Sequence, residues 1–477
     1  MSPEEKILEY EKLSRLLESG SDRRKTHRRE VLDYSEKFLN QVEKLPAFII
    51  QDEASGNSDL LSIGSYPGKT EDIISHLNEQ VDKYGLNPAS GGHLGYIPGG
   101  GVYQAALGDY LAAVFNRYAG VFYAGPNAVR LENYLLRWTA GLMGYPENAA
   151  GNITSGGSIA NLMAVVTARD AKKIEPEKIK DAVIYCTAQA HHSLFKAIRI
   201  AGLSHCPIRY VPMDSHFRMD AKELARLIRE DRQSGKNPFL VIGSAGTTDT
   251  GSIDPLDQIA DVCAAEKCWF HVDAAYGGYF VMTREGKEKL KGMERSDSLV
   301  TDPHKGLFLP YGAGIVLVKD KKHLSASHFY QAQYLQDADA EENEPSPADL
   351  SAELTKHFRG LRMWIPLKIH GTEPFIACLN EKLLLTRYFR EEVSKLGFET
   401  GPEPDLSVTI YRFVPRSGDA DAFNLALQQK VVKEGSVFIS STRINGRVWL
   451  RFACLSFRTR LSTVKKLLEV LKRETAL

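Results

Sequence analysis

The sequence lacks paired cysteines: Cys186, Cys206, Cys263, Cys268, Cys378 and Cys454 stand apart, with no CxxC and no histidine at zinc spacing. No metal is expected, and buried free thiols are the reading that remains. An excess of one charge is missing too. Sixty basic and sixty acidic side chains cancel to a formal net charge of zero, with no basic block that could track a phosphate backbone. Nucleic acid is therefore not an expected partner. No apolar run approaches the roughly 20 residues a membrane-spanning helix needs, and the opening Met-Ser-Pro-Glu-Glu carries neither a basic nor an apolar leader. The expectation is a soluble, cytosolic protein without a membrane partner. Absence of both GxGxxG and GxxxxGK[ST] argues against a nicotinamide-dependent dehydrogenase and a P-loop enzyme.

What is present is a long chain organised in three parts. At 477 residues it exceeds the size at which single cores stop growing, so two or three units are expected, with bounds 1–88, 89–375 and 376–477. From Ile7 to about Lys44 the pattern is helical and charged, and Ile7, Leu8, Leu13, Leu16 and Leu17 make an apolar stripe broken at Gly20. Such a stripe needs a surface to cover it, on another subunit or on the chain's own core. From about Gly91 to Asp320 strand-like runs (Ala182–Cys186, Phe239–Ile242, Trp269–Val272, Gly314–Val318) alternate with amphipathic stretches. That alternation predicts an α/β domain with a mostly parallel sheet. The stretch from Asp337 to Asp349 is acidic, holds two prolines and has no periodicity, which reads as a mobile surface loop. Beyond it, strand patterns at Leu406–Val414, Val437–Ser441 and Val448–Cys454, with helices at Ala420–Lys433 and Ser462–Arg473, predict a small α+β domain, Gly435 ending the first helix.

Three short segments carry chemistry. Thr154-Ser155-Gly156-Gly157-Ser158 precedes an amphipathic helix, and such a start offers backbone N–H groups and a helix dipole to an anion, although a plain capped turn has the same letters. In His271-Val272-Asp273-Ala274-Ala275 an acid ends an apolar strand, placed to pair with a protonated ring nitrogen or merely to cap a turn, and Ala275 is small enough to let a flat ring lie against it. In Asp302-Pro303-His304-Lys305-Gly306 a lysine sits on a turn between apolar stretches, where a partly desolvated amine could form an imine. Asp273 and the Asp302–Lys305 group each follow a strand-like run, as does Thr247, and ligands in such sheets collect at the carboxyl ends of strands.

Together, in this order, these segments resemble the group II decarboxylases that depend on pyridoxal 5′-phosphate (PLP), the family of aromatic-amino-acid, glutamate and histidine decarboxylases. The resemblance runs from about Asn87 to Arg460 and implies the fold-type I PLP-transferase architecture: a large domain with a mostly parallel sheet, an N-terminal helical segment and a small C-terminal α+β domain. It implies Lys305 as the Schiff-base lysine, His304 near the phosphate with Gly157 and Ser158, and Asp273 on the pyridine nitrogen. In Gln189-Ala190-His191, His191 would stack on the ring, with His192 adjacent; Gly246-Thr247-Thr248 would place Thr247 near Asp273 and the substrate carboxylate. The implied activity is decarboxylation of an L-amino acid to its amine and carbon dioxide by a homodimer with sites at the subunit interface, the Ile7 to Leu17 stripe packing across the two-fold.

The sequence also departs from the family pattern. In the pocket segment Gly92-His93-Leu94-Gly95-Tyr96-Ile97-Pro98, Tyr96 and Pro98 match but His93 and the glycines replace aromatic positions, so His93, Tyr96 and Pro98 are the candidate substrate contacts of a wider or more polar pocket. Arg130 stands where the family has an acid or small polar residue, and it, Arg443 and Arg447 are equally candidate substrate contacts or structural groups. The family's loop tyrosine, a proton donor, would fall near Pro347, yet no tyrosine occurs between Gln336 and Leu350. Either Tyr330, Tyr334, a histidine or a neighbouring subunit protonates the product, or the outcome is an aldehyde or other carbon–carbon lyase chemistry. A non-catalytic scaffold on the same fold is the alternative of another class, and retention of Lys305, Asp273 and His191 argues against it.

Overall fold

A computed structural model describes residues 1–51, 63, 67–329 and 344–475. The chain starts with two helices, α1 (Pro3–Ser14) and α2 (Ser21–Gln41), and no residue of either is buried. Ser2 and Glu5 form a reciprocal capping box that starts α1. The expected stripe exists, and Leu13, Leu16 and Leu17 stand 65–90 % exposed on it.

The large sheet has seven strands: β1 (Ala150–Thr154), β2 (Ala182–Cys186), β3 (Ile208–Tyr210), β4 (Asn237–Ser244), β5 (Trp269–Asp273), β6 (Ser298–Thr301) and β7 (Gly314–Val318). Their order across the sheet is β1-β7-β6-β5-β4-β2-β3, with β7 antiparallel to both neighbours and the pairs from β6 to β3 parallel. The mostly parallel sheet follows from strands buried on both faces, which read as unbroken apolar runs rather than as alternation. One core layer, including Phe270, Val272 and Leu299, lies on one face; Val300, Val316 and Trp269 face the other, against α3 (Gly157–Ala171) and α4 (His192–Ile200). Five of the six cysteines are buried and all are free, and burial raises the thiol of Cys186 to about 12.

The C-terminal part packs α5 (Glu373–Lys395), α6 (Ala420–Glu434) and α7 (Leu461–Thr475) on a four-stranded antiparallel sheet. Its strands are β8 (Glu399–Thr400), β9 (Val408–Arg412), β10 (Ser440–Ile444) and β11 (Arg447–Ala453), ordered β8-β9-β11-β10. Gly435 ends α6 at φ 83°, a left-handed cap that glycine adopts without strain. The strand expected from Val437 begins at Ser440 instead. Residues before it pair with the pocket segment: Phe438 bridges His93, and the Leu94 N–H donates to the Phe438 carbonyl at 2.8 Å.

The expected surface loop is corrected at its end. Residues 337–343 lie outside the described residues, but Ser346, Pro347 and Leu350 are buried. The Asn152 side chain donates to the Pro347 carbonyl at 2.9 Å, and the Ala348 N–H donates to the Gly120 carbonyl at 2.8 Å. A proline and a leucine in an acidic stretch were apolar anchors, and composition alone hid them.

Candidate active site

The ends of β1, β2, β4, β5 and β6 surround a cavity of about 260 Å³. After β1, the turn Ser155-Gly156-Gly157 enters α3 at the cavity wall. A Cβ at Gly157 would lie 2.9 Å from Oδ2 of Asp302, so no side chain fits there. After β2, His191 caps α4: its Nδ1 accepts from the Ser193 N–H at 3.3 Å and lies 2.8 Å from the Ser193 hydroxyl. Capping fixes the ring's orientation and presents it to the cavity, while His192 lies one position into the helix and is not part of the lining. Burial holds the His191 ring below its ordinary pKa, with the charge of Asp273 opposing, so it is neutral at pH 7.

At the end of β5, Asp273 is 7 % exposed; one carboxylate oxygen accepts from the Ala275 N–H at 3.1 Å and the other from the Asn161 amide at 3.2 Å. After β6 a one-turn helix, Pro303–Gly306, brings the Lys305 ammonium 3.0 Å from Asp302 Oδ2. The other oxygen of Asp302 is buried without a hydrogen-bond partner. His304 donates from Nδ1 to the Ala313 carbonyl at 2.5 Å and lies beside the Gly156 turn, its pKa lowered by burial against the pull of Asp302. Thr247 closes the lining after β4, its hydroxyl 2.8 Å from that of Thr250.

Eight expected residues thus meet in one space: Gly157, Ser158, His191, Thr247, Asp273, Ala275, His304 and Lys305 all line the cavity. The candidate substrate contacts do not. His93 is fully buried with both ring nitrogens unpartnered, packed edge-on against Tyr96 and Phe438, and burial lowers its pKa to about 4. Its pairing with Phe438 turns the side chain inward. Pro98 is buried and Tyr96 is half exposed, while Gly99 is pressed against the carbonyl of His304, which brings the segment behind Lys305. Arg443 is held by Asp421 at 2.9 Å, and neither it, Arg130 nor Arg447 lines the cavity. Pro347 is likewise absent from the lining, and Tyr330 and Tyr334 lie outside the described residues.

Sequence reasoning missed Arg451. Buried on β11, it donates to the Gly95 carbonyl and the Ser440 hydroxyl at 2.8 Å each, to the Asp249 carbonyl at 3.1 Å and to the Thr248 carbonyl. It ties the small sheet, the pocket segment and the Thr247 turn together. Nothing local marks it, because all its acceptors but one are backbone carbonyls.

The donor set fits an aldehyde cofactor with a phosphate and a basic ring nitrogen. A single lysine amine, an acceptor-only carboxylate across from it, and glycines at a helix N-terminus share one cavity. Comparison with known proteins then decides the family: residues 65–412 match the pyridoxal-dependent decarboxylase conserved domain. The chain belongs to that family. It is 31 % identical to an aromatic-L-amino-acid decarboxylase of Bacillus atrophaeus, over 85 % of both chains. It is also 30 % identical to an L-2,4-diaminobutyrate decarboxylase of Rhizobium meliloti, over 77 % of this chain and 74 % of the relative. Its fold superposes on that of Oryza sativa TDC with PLP and tryptamine at a TM-score of 0.90 and 24 % identity, over 96 % of this chain and 98 % of the other. This decarboxylase is a fold-type I, PLP-dependent carboxy-lyase that acts on an amino acid.

Proposed function

We propose that the cavity removes the carboxyl group of an aromatic L-amino acid as carbon dioxide, with Lys305 as the group that carries the cofactor covalently. The observation that supports this is the enclosure of one amine and one ring-facing carboxylate at the mouth of a helix. When bound, PLP supplies an electron-withdrawing ring that accepts the electron pair left behind. Lys305 would hold that group through its amine, which Asp302 steadies at 3.0 Å. Asp273 would offer a carboxylate acceptor to a protonated ring nitrogen, and its hydrogen bonds from Asn161 and Ala275 hold that carboxylate in place. His191 lies where it can cover the ring face opposite Ala275. Gly157, Ser158 and His304 gather around the phosphate position, with backbone N–H groups at the helix start as donors. Thr247, in the cavity lining, would stand near the substrate carboxylate.

The aromatic substrate rests on the Bacillus relative, and the diaminobutyrate relative gives the competing class. A second outcome, oxidative loss of ammonia to an aldehyde, is favoured by one observation: no tyrosine occurs between Gln336 and Leu350. The enzyme is read as a cytoplasmic homodimer, because the exposed stripe on α1 requires a cover and a second copy supplies one. The deciding experiment incubates PLP-loaded enzyme with each common L-amino acid and scores carbon dioxide, amine, ammonia and peroxide together. Amine with stoichiometric carbon dioxide from an aromatic substrate is expected; ammonia with peroxide would replace it by aldehyde formation, and turnover of diaminobutyrate alone would overturn the aromatic class. Light scattering of the active enzyme at the mass of one chain would remove the dimer.

A further inference from the structure

Behind Asp273 runs a chain of buried polar side chains that the reaction itself does not require. The indole of Trp269 donates to the Ser298 hydroxyl at 2.9 Å; Ser298 lies 2.9 Å from His271 Nδ1; His271 Nε2 lies 3.0 Å from Asn161 Oδ1. The Asn161 amide nitrogen donates at 3.2 Å to Asp273 and at 3.1 Å to the Ser193 hydroxyl, which reaches His191. Trp269, Ser298, His271, Asn161 and Ser193 are each at most 3 % exposed, with Asn161 and Ser193 at the cavity wall and the other three enclosed behind them.

The ends of this chain are chemically one-sided, and that settles every hydrogen in between. An ionised carboxylate only accepts, so Asn161 must turn its amide nitrogen to Asp273 and its oxygen to His271. Nε2 of His271 must then carry the hydrogen. Burial holds this ring's pKa at about 4, so it is neutral and its Nδ1 is bare. The Ser298 hydroxyl therefore donates to Nδ1 and spends its lone pair on the Trp269 indole, which can only donate. On the other branch Ser193 accepts from Asn161 and gives its hydrogen to His191 Nδ1, which also receives the Ser193 backbone N–H. The neutral His191 ring is left with its hydrogen on Nε2. The charged groups acting on that ring are Asp273, Lys305 and Asp302, with His192 beside it.

We propose that Asn161, His271 and Ser298 are positioning residues: with Trp269 as a donor-only terminus they form a one-directional hydrogen-bond chain that presents Asp273 to the cofactor's ring nitrogen and fixes His191 as the Nε2–H tautomer. This rests on the assignment of Lys305 and Asp273 made above. The chain explains why a tryptophan, a serine and a histidine meet inside the sheet, where hydrocarbon would pack without the need for matched partners.

The test uses the full-length enzyme stripped of PLP and titrated with it, read by the visible band of the bound cofactor, alongside nitrogen NMR of ring-labelled histidine in the loaded enzyme. Asn161→Asp sets a second acceptor against Asp273 and Ser193 and should weaken PLP binding by on the order of tenfold or more, the cost of losing a hydrogen bond to a charged group. Ser298→Ala should weaken it by several-fold and blur the His191 tautomer, whereas Ser298→Thr, which keeps the hydroxyl, should restore both. Wild-type PLP affinity and an unchanged His191 tautomer in Ser298→Ala would overturn the chain, and the alanine–threonine pair decides even if Asn161→Asp fails to fold. Lys305→Ala separates the two levels: loss of its visible band together with a normal Ser298→Ala refutes the chain alone, while a retained band refutes the underlying site.

Discussion

Two lysines of this protein, one buried and one half-buried, each sit about 3 Å from a carboxylate, and they do opposite things. Lys356 is fully buried, 2.9 Å from Glu132, and also donates to Asn152 Oδ1 at 3.0 Å, while the other oxygen of Glu132 accepts from the Gly360 N–H at 3.0 Å. Lys305, 22 % exposed, meets Asp302 at 3.0 Å, and the second oxygen of Asp302 has no partner. The first pair is closed off from solvent, its Glu132 Oε2 meeting Lys356 as an ion pair without a hydrogen bond; it fastens the segment that follows residue 344 to β1 and to the helix Pro126–Leu142. The second is incompletely satisfied and opens on a cavity. A lysine becomes available for chemistry where it opens on a cavity, and an ion pair of the same length becomes structure where its neighbours close it off.

That contrast can be broken in order of size. Lys305→Ala should remove the visible band of the loaded enzyme and lower turnover by at least about a hundredfold, the share of one positioned proton-transfer group alone, with little change in melting temperature; a retained band would equate the two lysines. Lys356→Met should do the reverse, costing about 3–5 kcal/mol because Glu132 is left as an unpaired buried charge, with the spectrum of the folded fraction unchanged. Chemical denaturation followed by circular dichroism reads the loss, and a cost under 1 kcal/mol would show that the pair behaves as a surface contact.

Histidines sharpen the comparison through pH. Burial lowers His93 and His271 to about 4 from an ordinary 6.5. Between those values the unfolded chain binds protons that the folded chain refuses, so stability is full above about 6.5 and falls as pH drops toward about 4. His93→Leu, which removes a ring with no partners, should flatten that acid limb; denaturation midpoints at a series of pH values check it, and an unchanged slope would mean that His93 is not held neutral. The smallest effect belongs far from either pair. Asp220 caps the helix Ala221–Gln233 by accepting from the Lys222 and Glu223 N–H groups at 2.8 and 3.1 Å, and Asp220→Ala should cost about 1 kcal/mol by thermal melting without touching the spectrum.

Much of the site was legible because it is built from local motifs at strand ends. Gly157, Asp273 and Lys305 each follow an apolar run within one or a few residues, and a parallel sheet delivers such ends to one edge. Asn161 and His271 lay inside the motifs that were read, yet carried no visible role, since a polar residue one turn into a helix or midway along a strand has its partner elsewhere. Ser193, Ser298, Trp269 and Arg451 gave no signal of their own. His93 misled for the same reason: its motif pointed to a substrate contact, and pairing with Phe438 turned the ring into the core.

The sequence alone determined the α/β class, four of the seven strands of the large sheet and the motifs that meet in the cavity, because periodicity and turn chemistry act over a few residues. Only the tertiary structure decided which lysine is sealed by Glu132 and Asn152, and which way the hydrogens run from Trp269 to His191. Those outcomes depend on distances between segments far apart in the chain, such as Asn152 and Lys356, 204 residues apart, and desolvation strengthens or penalises a polar group only after those segments have closed around it.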